Sequence, residues 1–140
     1  MPVGHIGINV SNLEISYSYY RTLMPYLAYE PFLAEDDQFA FQPAKNKRGT
    51  FIFFYPGQNG YHPDYVGLQH LAFMLPTRLN VDEATGVASD LGSELVHSPQ
   101  EWPEYPPPYY ASFFGVTLTG SCLKRCVISS AQYSFNRDTT

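Results

Sequence analysis

Two histidines stand at matching places in two similar segments of the chain. His5 is the second residue of GHIGINV (residues 4–10), and His70 is the second residue of QHLAFML (residues 69–75). Each segment is strand-like and is followed by a helix-start signal. Because imidazole is the commonest protein ligand of metals, one histidine from each half is consistent with two ligands of a divalent metal ion. The alternative, which stays open, is that both are surface or core histidines and that the chain holds no metal.

The other residues that could do chemistry carry weaker signals. His62 lies in a Gly/Pro-rich stretch and His97 precedes a Ser-Pro pair, so we expect both to be solvent-exposed. The spacing of Cys122 and Cys126 is not a zinc or redox motif, and the chain has no nucleophile elbow or phosphate loop. No catalytic residue or general base can be named.

The predicted elements repeat as a strand, a helix and three strands. The first half has strands at 3–10, 29–33, 38–42 and 50–55 and a helix from a Ser11-x-x-Glu14 capping box to about Leu27, where Pro25 should kink or end it. The second half has strands at 68–75, 94–97, 109–114 and about 123–128, and a helix to Leu91 that Thr77 or Asn80 caps. This order predicts an α+β fold of two βαβββ modules, forming a curved mixed sheet around a cleft.

Length and composition narrow the class of protein. We expect one domain over residues 1–140, with module 1 at about 2–55, a linker at 56–67 and module 2 at about 68–128. A net charge of −5 argues against nonspecific nucleic-acid binding. No apolar run is long enough for a membrane helix, no secretion signal is visible, and two cysteines favour a cytoplasmic protein.

Aromatic residues make up 16% of the chain and could fill a core or line an apolar cleft. In the segment that begins at Tyr109, alternation places Tyr109 and Phe113 on one face and Tyr110 and Phe114 on the other. The candidate substrate-binding residues are Phe54, Phe73, Trp102 and Tyr110.

The two histidine segments, followed by PPYYA (residues 107–111), resemble the vicinal oxygen chelate superfamily over about residues 2–114. That superfamily includes glyoxalase I, extradiol dioxygenases and the fosfomycin and bleomycin resistance proteins. The resemblance implies a metal held by a histidine from each first strand, here His5 and His70, and by a glutamate from the last strand. It also implies a homodimer, in which some members complete each site across the two subunits.

The chain departs from this pattern at the third ligand, because Lys124 stands where the glutamate is expected. A protonated ammonium group cannot ligate a cation. Residues 115–140 are atypical as a whole. Loss of one T from the gene after the codon of Phe114 would explain them. When that T is restored, codons allowed for residues 115–128 encode WGDPHGFMLEAVCH, with Glu at position 124. We therefore hypothesise a frameshift, which sequencing of the source DNA decides.

Three functions stay open at this point. The first is a metal-dependent enzyme, a glyoxalase-like lyase or a dioxygenase-like protein, acting on a small organic substrate. The alternative is a non-catalytic protein of the bleomycin-resistance type that sequesters a small molecule. The third is an impaired protein whose second sheet lacks its last strand and exposes an edge.

Overall fold

The computed structural model describes residues 3–58, 68–105, 108–115 and 125–130. The described residues form two four-stranded mixed sheets and two α-helices. The first half contains β1 (His5–Val10), α1 (Leu13–Leu23), β2 (Tyr29–Ala34), β3 (Phe39–Pro43) and β4 (Phe51–Pro56). The second half contains β5 (His70–Met74), α2 (Arg78–Asp90), β6 (Glu94–Glu101), β7 (Tyr110–Gly115) and β8 (Arg125–Ser129).

The two halves have the same strand connections. The first sheet has the order β1-β4-β3-β2 and the second the order β5-β8-β7-β6. In each sheet the first strand runs parallel to the last strand, and the remaining pairs are antiparallel. This arrangement confirms the predicted α+β fold with two βαβββ units, and the two sheets are not closed into one barrel.

Residues 125–129 form β8 between β5 and β7. The expectation of a second sheet without its last strand is therefore wrong, because these residues pair along both neighbours. Lys124 lies outside the described residues, as do the other residues at 116–124 and 131–140 and most of the predicted linker. The frameshift stays a hypothesis.

Both helices begin at a side-chain cap. Asn12 Oδ1 accepts a hydrogen bond from the Ile15 backbone N–H at 3.0 Å, so Asn12 and not Ser11 caps α1. Thr77 Oγ1 accepts from the Asn80 N–H at 3.1 Å, which decides between the two predicted caps of α2. The first helix ends at Leu23 and continues to Leu27 only as a 3₁₀ turn, because Pro25 cannot donate to the α-helical ladder.

One strand is longer than the sequence predicts. The sequence predicts a strand at 94–97, but β6 continues through Pro99 to Glu101, with irregular register on both sides of His97. A proline is tolerated there because β6 is an edge strand of the second sheet.

The inner faces of both sheets and both helices form one hydrophobic core. In β1, Ile8 and Val10 are buried while His5, Gly7 and Asn9 alternate with them on the exposed outer face. The same alternation in β5 packs Leu71 and Phe73 against the core and leaves His70, Ala72 and Met74 on the outer face. Each sheet thus has a core face and an outer face, and both histidines belong to the outer faces.

Among the described residues, no helix is long and apolar enough to span a bilayer.

Candidate functional site

His70 is the first residue of β5, an edge strand of the second sheet. Its Nδ1 lies 3.2 Å from Gln69 Oε1. In the tautomer with the proton on Nδ1, this nitrogen donates to Gln69 Oε1 and Nε2 carries the lone pair. In that tautomer Nε2 can accept a hydrogen bond or ligate a metal.

A cavity of about 230 Å³ opens beside His70. All of its lining residues come from the second half of the chain: Gln69, His70, Ala72, Tyr105, Tyr109, Phe113 and Val127. The rings of Tyr105 and Tyr109 lie 4.7 Å apart, and Val127 is buried. The cavity is an aromatic cleft with one imidazole at its edge.

A cluster of three rings continues this cleft across the sheet. The centroids of Trp102 and Phe113 lie 5.0 Å apart, and His97 lies 5.0 Å from Trp102 and 5.7 Å from Phe113. The Trp102 Nε1–H donates to the carbonyl oxygen of Ala111 at 3.0 Å, which fixes the indole. His97 is exposed, as expected, but it lies against two aromatic rings.

His5 occupies the place in the first sheet that His70 occupies in the second. It is the first residue of β1, and its Cα lies opposite Phe51 of the parallel strand β4. The imidazole contacts the ring of Phe53 edge-on at 5.6 Å. Phe32 packs against Phe51 and Phe53 on the same outer face, so His5 also lies beside an aromatic surface.

The structure does not assemble a complete metal site from the described part of one chain. No group of three His, Cys, Asp or Glu side chains that could hold a metal occurs among the described residues. His5 and His70 lie on different sheets, and the cavity at His70 has no lining residue from the first sheet. Position 124, the expected third ligand, is outside the described residues.

Three of the four predicted substrate-binding residues lie on the core side of their sheets. Phe54 is buried and stacks on Phe39 with the centroids 4.6 Å apart. Phe73 packs against the core, and its ring contacts Tyr29 edge-on. Neither phenyl group lines the cavity at His70, because the alternation of each strand turns it inward.

Tyr110 also faces away from the cavity. Its hydroxyl donates to Asp82 Oδ1 on α2 at 2.5 Å, and this hydrogen bond raises the pKa of Tyr110. Of the four candidates, only Trp102 lies on the outer face, where its ring contacts Phe113 of the cavity wall.

Sequence reasoning missed several residues at the cavity. Tyr109 and Phe113 line the cavity from the face opposite Tyr110, so the alternation along this strand was predicted, but the candidate named on it lies on the other face. Gln69 was visible beside His70 as a partner for its ring. Tyr105 lies in an irregular segment, where no periodic pattern predicts a direction.

The fold matches many solved structures. A glyoxalase-type protein of Bacillus halodurans superposes with a TM-score of 0.71 at 22% identity, covering 92% of this chain and 95% of that one. A glyoxalase/bleomycin resistance protein of Albidiferax ferrireducens superposes with a TM-score of 0.69 at 14% identity, covering 91% and 97%. A lactoylglutathione lyase of Agrobacterium tumefaciens superposes with a TM-score of 0.63 at 13% identity, covering 92% of each chain.

Neither family models nor curated protein sequences match the chain. The likeness is therefore carried by architecture, at identities too low to transfer an activity. The chain has the fold of the glyoxalase/bleomycin resistance/dioxygenase proteins, the vicinal oxygen chelate superfamily.

Proposed function

We propose that this protein binds a small organic molecule in the cleft at His70, and that a second copy of the chain closes this cleft. The observation that carries the proposal is the cavity of about 230 Å³ on the outer face of the second sheet. Tyr105, Tyr109 and Phe113 supply aromatic walls, while His70 and Gln69 supply polar groups at one end. Such a lining suits a flat apolar molecule with one hydrogen-bonding group.

The exposed aromatic face of the first sheet supports closure by a second copy. Phe32 is 47% exposed and Tyr55 38%, while Met74 on the outer face of the second sheet is 63% exposed. A two-fold dimer that lays the first sheet of one copy over the second sheet of the other covers both faces and makes two equivalent clefts. In that dimer His5 would approach His70 of the partner subunit.

The binding proposal is tested by screening small organic fragments with ligand-detected NMR. We expect flat aromatic fragments to bind the wild type, and His70→Ala and Phe113→Leu to lose them. Leu79→Ala, an exposed position on α2 away from the cavity, is the control and should retain binding. Equal binding by the wild type and Phe113→Leu would contradict the proposal.

The dimer is tested by light scattering coupled to size exclusion. We expect the wild type to elute as a dimer, and Phe32→Glu to shift it towards the monomer because a carboxylate would be buried against an apolar face. A wild type that stays monomeric at high concentration would contradict closure by a second copy.

A metal-dependent enzyme is the second candidate, and the position of Gln69 beside His70 favours it. A ligating imidazole usually donates its other ring nitrogen to a neighbouring acceptor, and Gln69 Oε1 lies 3.2 Å from Nδ1 of His70, where it can accept such a hydrogen bond. Bound there, a divalent ion would supply Lewis acid chemistry. The described residues of one chain do not complete the ligand set.

Metal content separates the two candidates. Stoichiometric Mn, Fe, Ni or Zn in the purified protein, lost in His5→Ala and His70→Ala but kept in His97→Ala, would support the enzyme. Lys124→Glu should then raise metal occupancy, because a carboxylate replaces an ammonium at the expected third ligand. Ligand binding without metal would support a sequestering protein.

For either candidate, we propose a cytoplasmic location.

A further inference from the structure

A larger cavity, of about 350 Å³, lies where the two halves of the chain meet. One side is formed by the 3₁₀ turns at Met24–Leu27 and Ala44–Asn46 of the first half. The other side is formed by the end of β5 and the first turns of α2. This junction cavity shares no lining residue with the cavity at His70, so it is a separate place on the molecule.

Charged and polar side chains line the junction cavity from both halves. Lys45 and Lys47 line it from the first half, and Asn80 and Glu83 line it from α2. Within the described parts of the chain the only ion pair joins Arg78 to Glu101, so neither lysine is within ion-pair distance of a described carboxylate. Two ammonium groups are therefore available to a bound anion.

The remaining walls are apolar. Pro25, Ala28 and Pro76 contribute small, rigid surfaces, and Leu75, which is 4% exposed, forms part of the hydrophobic core. Tyr26 offers a ring at the rim and is 42% exposed. The cavity can hold an apolar body as well as a charged group, and its volume lies in the range of small-molecule sites.

The backbone around the junction cavity is held in unusual conformations. Ala28, Lys45 and Asn46 have φ values of 63°, 59° and 55°, and they are the only non-glycine residues with positive φ among those described. The Ala44 N–H donates to the carbonyl oxygen of Ala28 at 2.9 Å, which joins the two turns. Such conformations persist where the surrounding structure holds them, and they recur at ligand sites.

We propose that the junction cavity binds a small organic carboxylate that also carries a hydrogen-bond donor. The carboxylate would be held by Lys45 and Lys47, the donor by Glu83, and the apolar body by the wall that includes Pro25 and Leu75. The N-terminus of α2 is not required, because Thr77 Oγ1 already accepts the N–H of Asn80. A ligand there would contact both halves of the chain at once.

The test uses 4-hydroxybenzoate as the probe, with calorimetry on the full chain. Benzoate lacks the donor and 4-hydroxybenzamide lacks the charge. We expect 4-hydroxybenzoate to bind more tightly than benzoate. The neutral amide should bind more weakly than either acid, and any binding that it shows at His70 should not depend on Lys45 and Lys47. Failure of 4-hydroxybenzoate to bind, or equal binding of the amide, would overturn the proposal.

Variants locate the site. The pair Lys45→Gln and Lys47→Gln should raise the Kd by about tenfold or more, as the loss of charge-assisted hydrogen bonds does. Glu83→Gln should remove the preference for 4-hydroxybenzoate over benzoate. Arg21→Gln is the control: it removes one positive charge from α1, outside the cavity, and should leave the Kd unchanged. Circular dichroism checks that each variant folds.

His70→Ala separates this proposal from the cleft at His70. We expect it to leave the Kd for 4-hydroxybenzoate unchanged. Loss of binding in His70→Ala, or unchanged binding in the double lysine variant, would assign the carboxylate to the other cavity and overturn the proposal.

Discussion

Tyr19 Oη and Ser93 Oγ lie 2.5 Å apart inside the core and belong to residues 74 positions apart in the chain. Tyr19 is on α1, and Ser93 immediately precedes β6, so this hydrogen bond joins the two halves of the fold. Burial raises the pKa of Tyr19 above its ordinary value. The phenol therefore stays protonated and available to donate.

We expect Tyr19→Phe to lower the free energy of unfolding by about 1–3 kcal/mol, since it leaves the buried Ser93 hydroxyl without this partner. Urea unfolding followed by circular dichroism measures the change. Tyr26→Phe, at an exposed ring, is the control and should be nearly neutral. In the double variant with Tyr19→Phe and Ser93→Ala, the free energy of unfolding should fall by less than the sum of the two single losses. Strict additivity would show that the two hydroxyls are not coupled.

The buried thiol of Cys126 should make the fold less stable in alkaline solution. Burial raises its pKa from 9.0 to about 12. The unfolded chain releases this proton above pH 9.0 while the folded chain retains it, so the stabilising contribution is complete below pH 9.0 and falls as pH rises towards 12. The slope in that window is on the order of 1 kcal/mol per pH unit.

Cys126→Ala removes this contribution, together with the smaller effect of the thiolate charge on the pKa of Tyr19. Urea unfolding at increasing pH above 9.0 should show the wild type losing stability faster than the variant. A difference between the two proteins that is constant with pH would mean that the thiol ionises equally in the folded and unfolded states.

Loss of either helix cap should lower the stability of the fold. Asn12→Ala and Thr77→Ala should each lower the free energy of unfolding by about 1 kcal/mol, because each change removes the acceptor of a first-turn N–H. Ser18→Ala, at an exposed position inside α1, is the matched control and should not destabilise. Thermal unfolding ranks the three variants, and a neutral Asn12→Ala would show that another group caps α1.

Trp102, the only tryptophan of the chain, should report the ring contact with His97. The two rings meet edge-on with centroids 5.0 Å apart, so removal of the imidazole changes the surroundings of the indole and should change its emission. We expect the fluorescence spectrum to change in His97→Gln and to stay as in the wild type in His70→Gln. An unchanged spectrum in His97→Gln would show that the two rings are not in contact in solution.

The sequence predicts the repeat well and the direction of single side chains less well. The strands of His5 and His70, both helices and the α+β class follow from local patterns, because alternation and caps are local properties. Which face of β7 meets the cavity depends on α2 packing against the other face, where Tyr110 reaches Asp82 and Ser112 contacts Thr85. That packing is tertiary, and no local pattern in the sequence distinguishes the face of Tyr110 from the face of Phe113.

Other differences have equally physical causes. A proline ends a strand in most contexts, but Pro99 is tolerated because β6 is an edge strand. Which strand lies at the edge is a property of the whole sheet, so the residues around Pro99 do not predict it. Asn12 and Ser11 are both good caps, and only the geometry of the first turn selects Asn12. No pattern in the sequence brings Lys45 and Glu83 to one cavity, since they lie in different halves of the chain.

The position of β8 has a consequence for synthesis on the ribosome. The first sheet is complete once residue 56 has emerged, but β5 in the second sheet pairs with β8 and must wait for residues 125–129. Until then, the partly made chain holds Leu71 and Phe73 on a strand without its neighbour, and such unpaired apolar strands invite association between nascent chains. The growing chain therefore carries an unpaired apolar strand from the synthesis of β5 until residue 129 has been added.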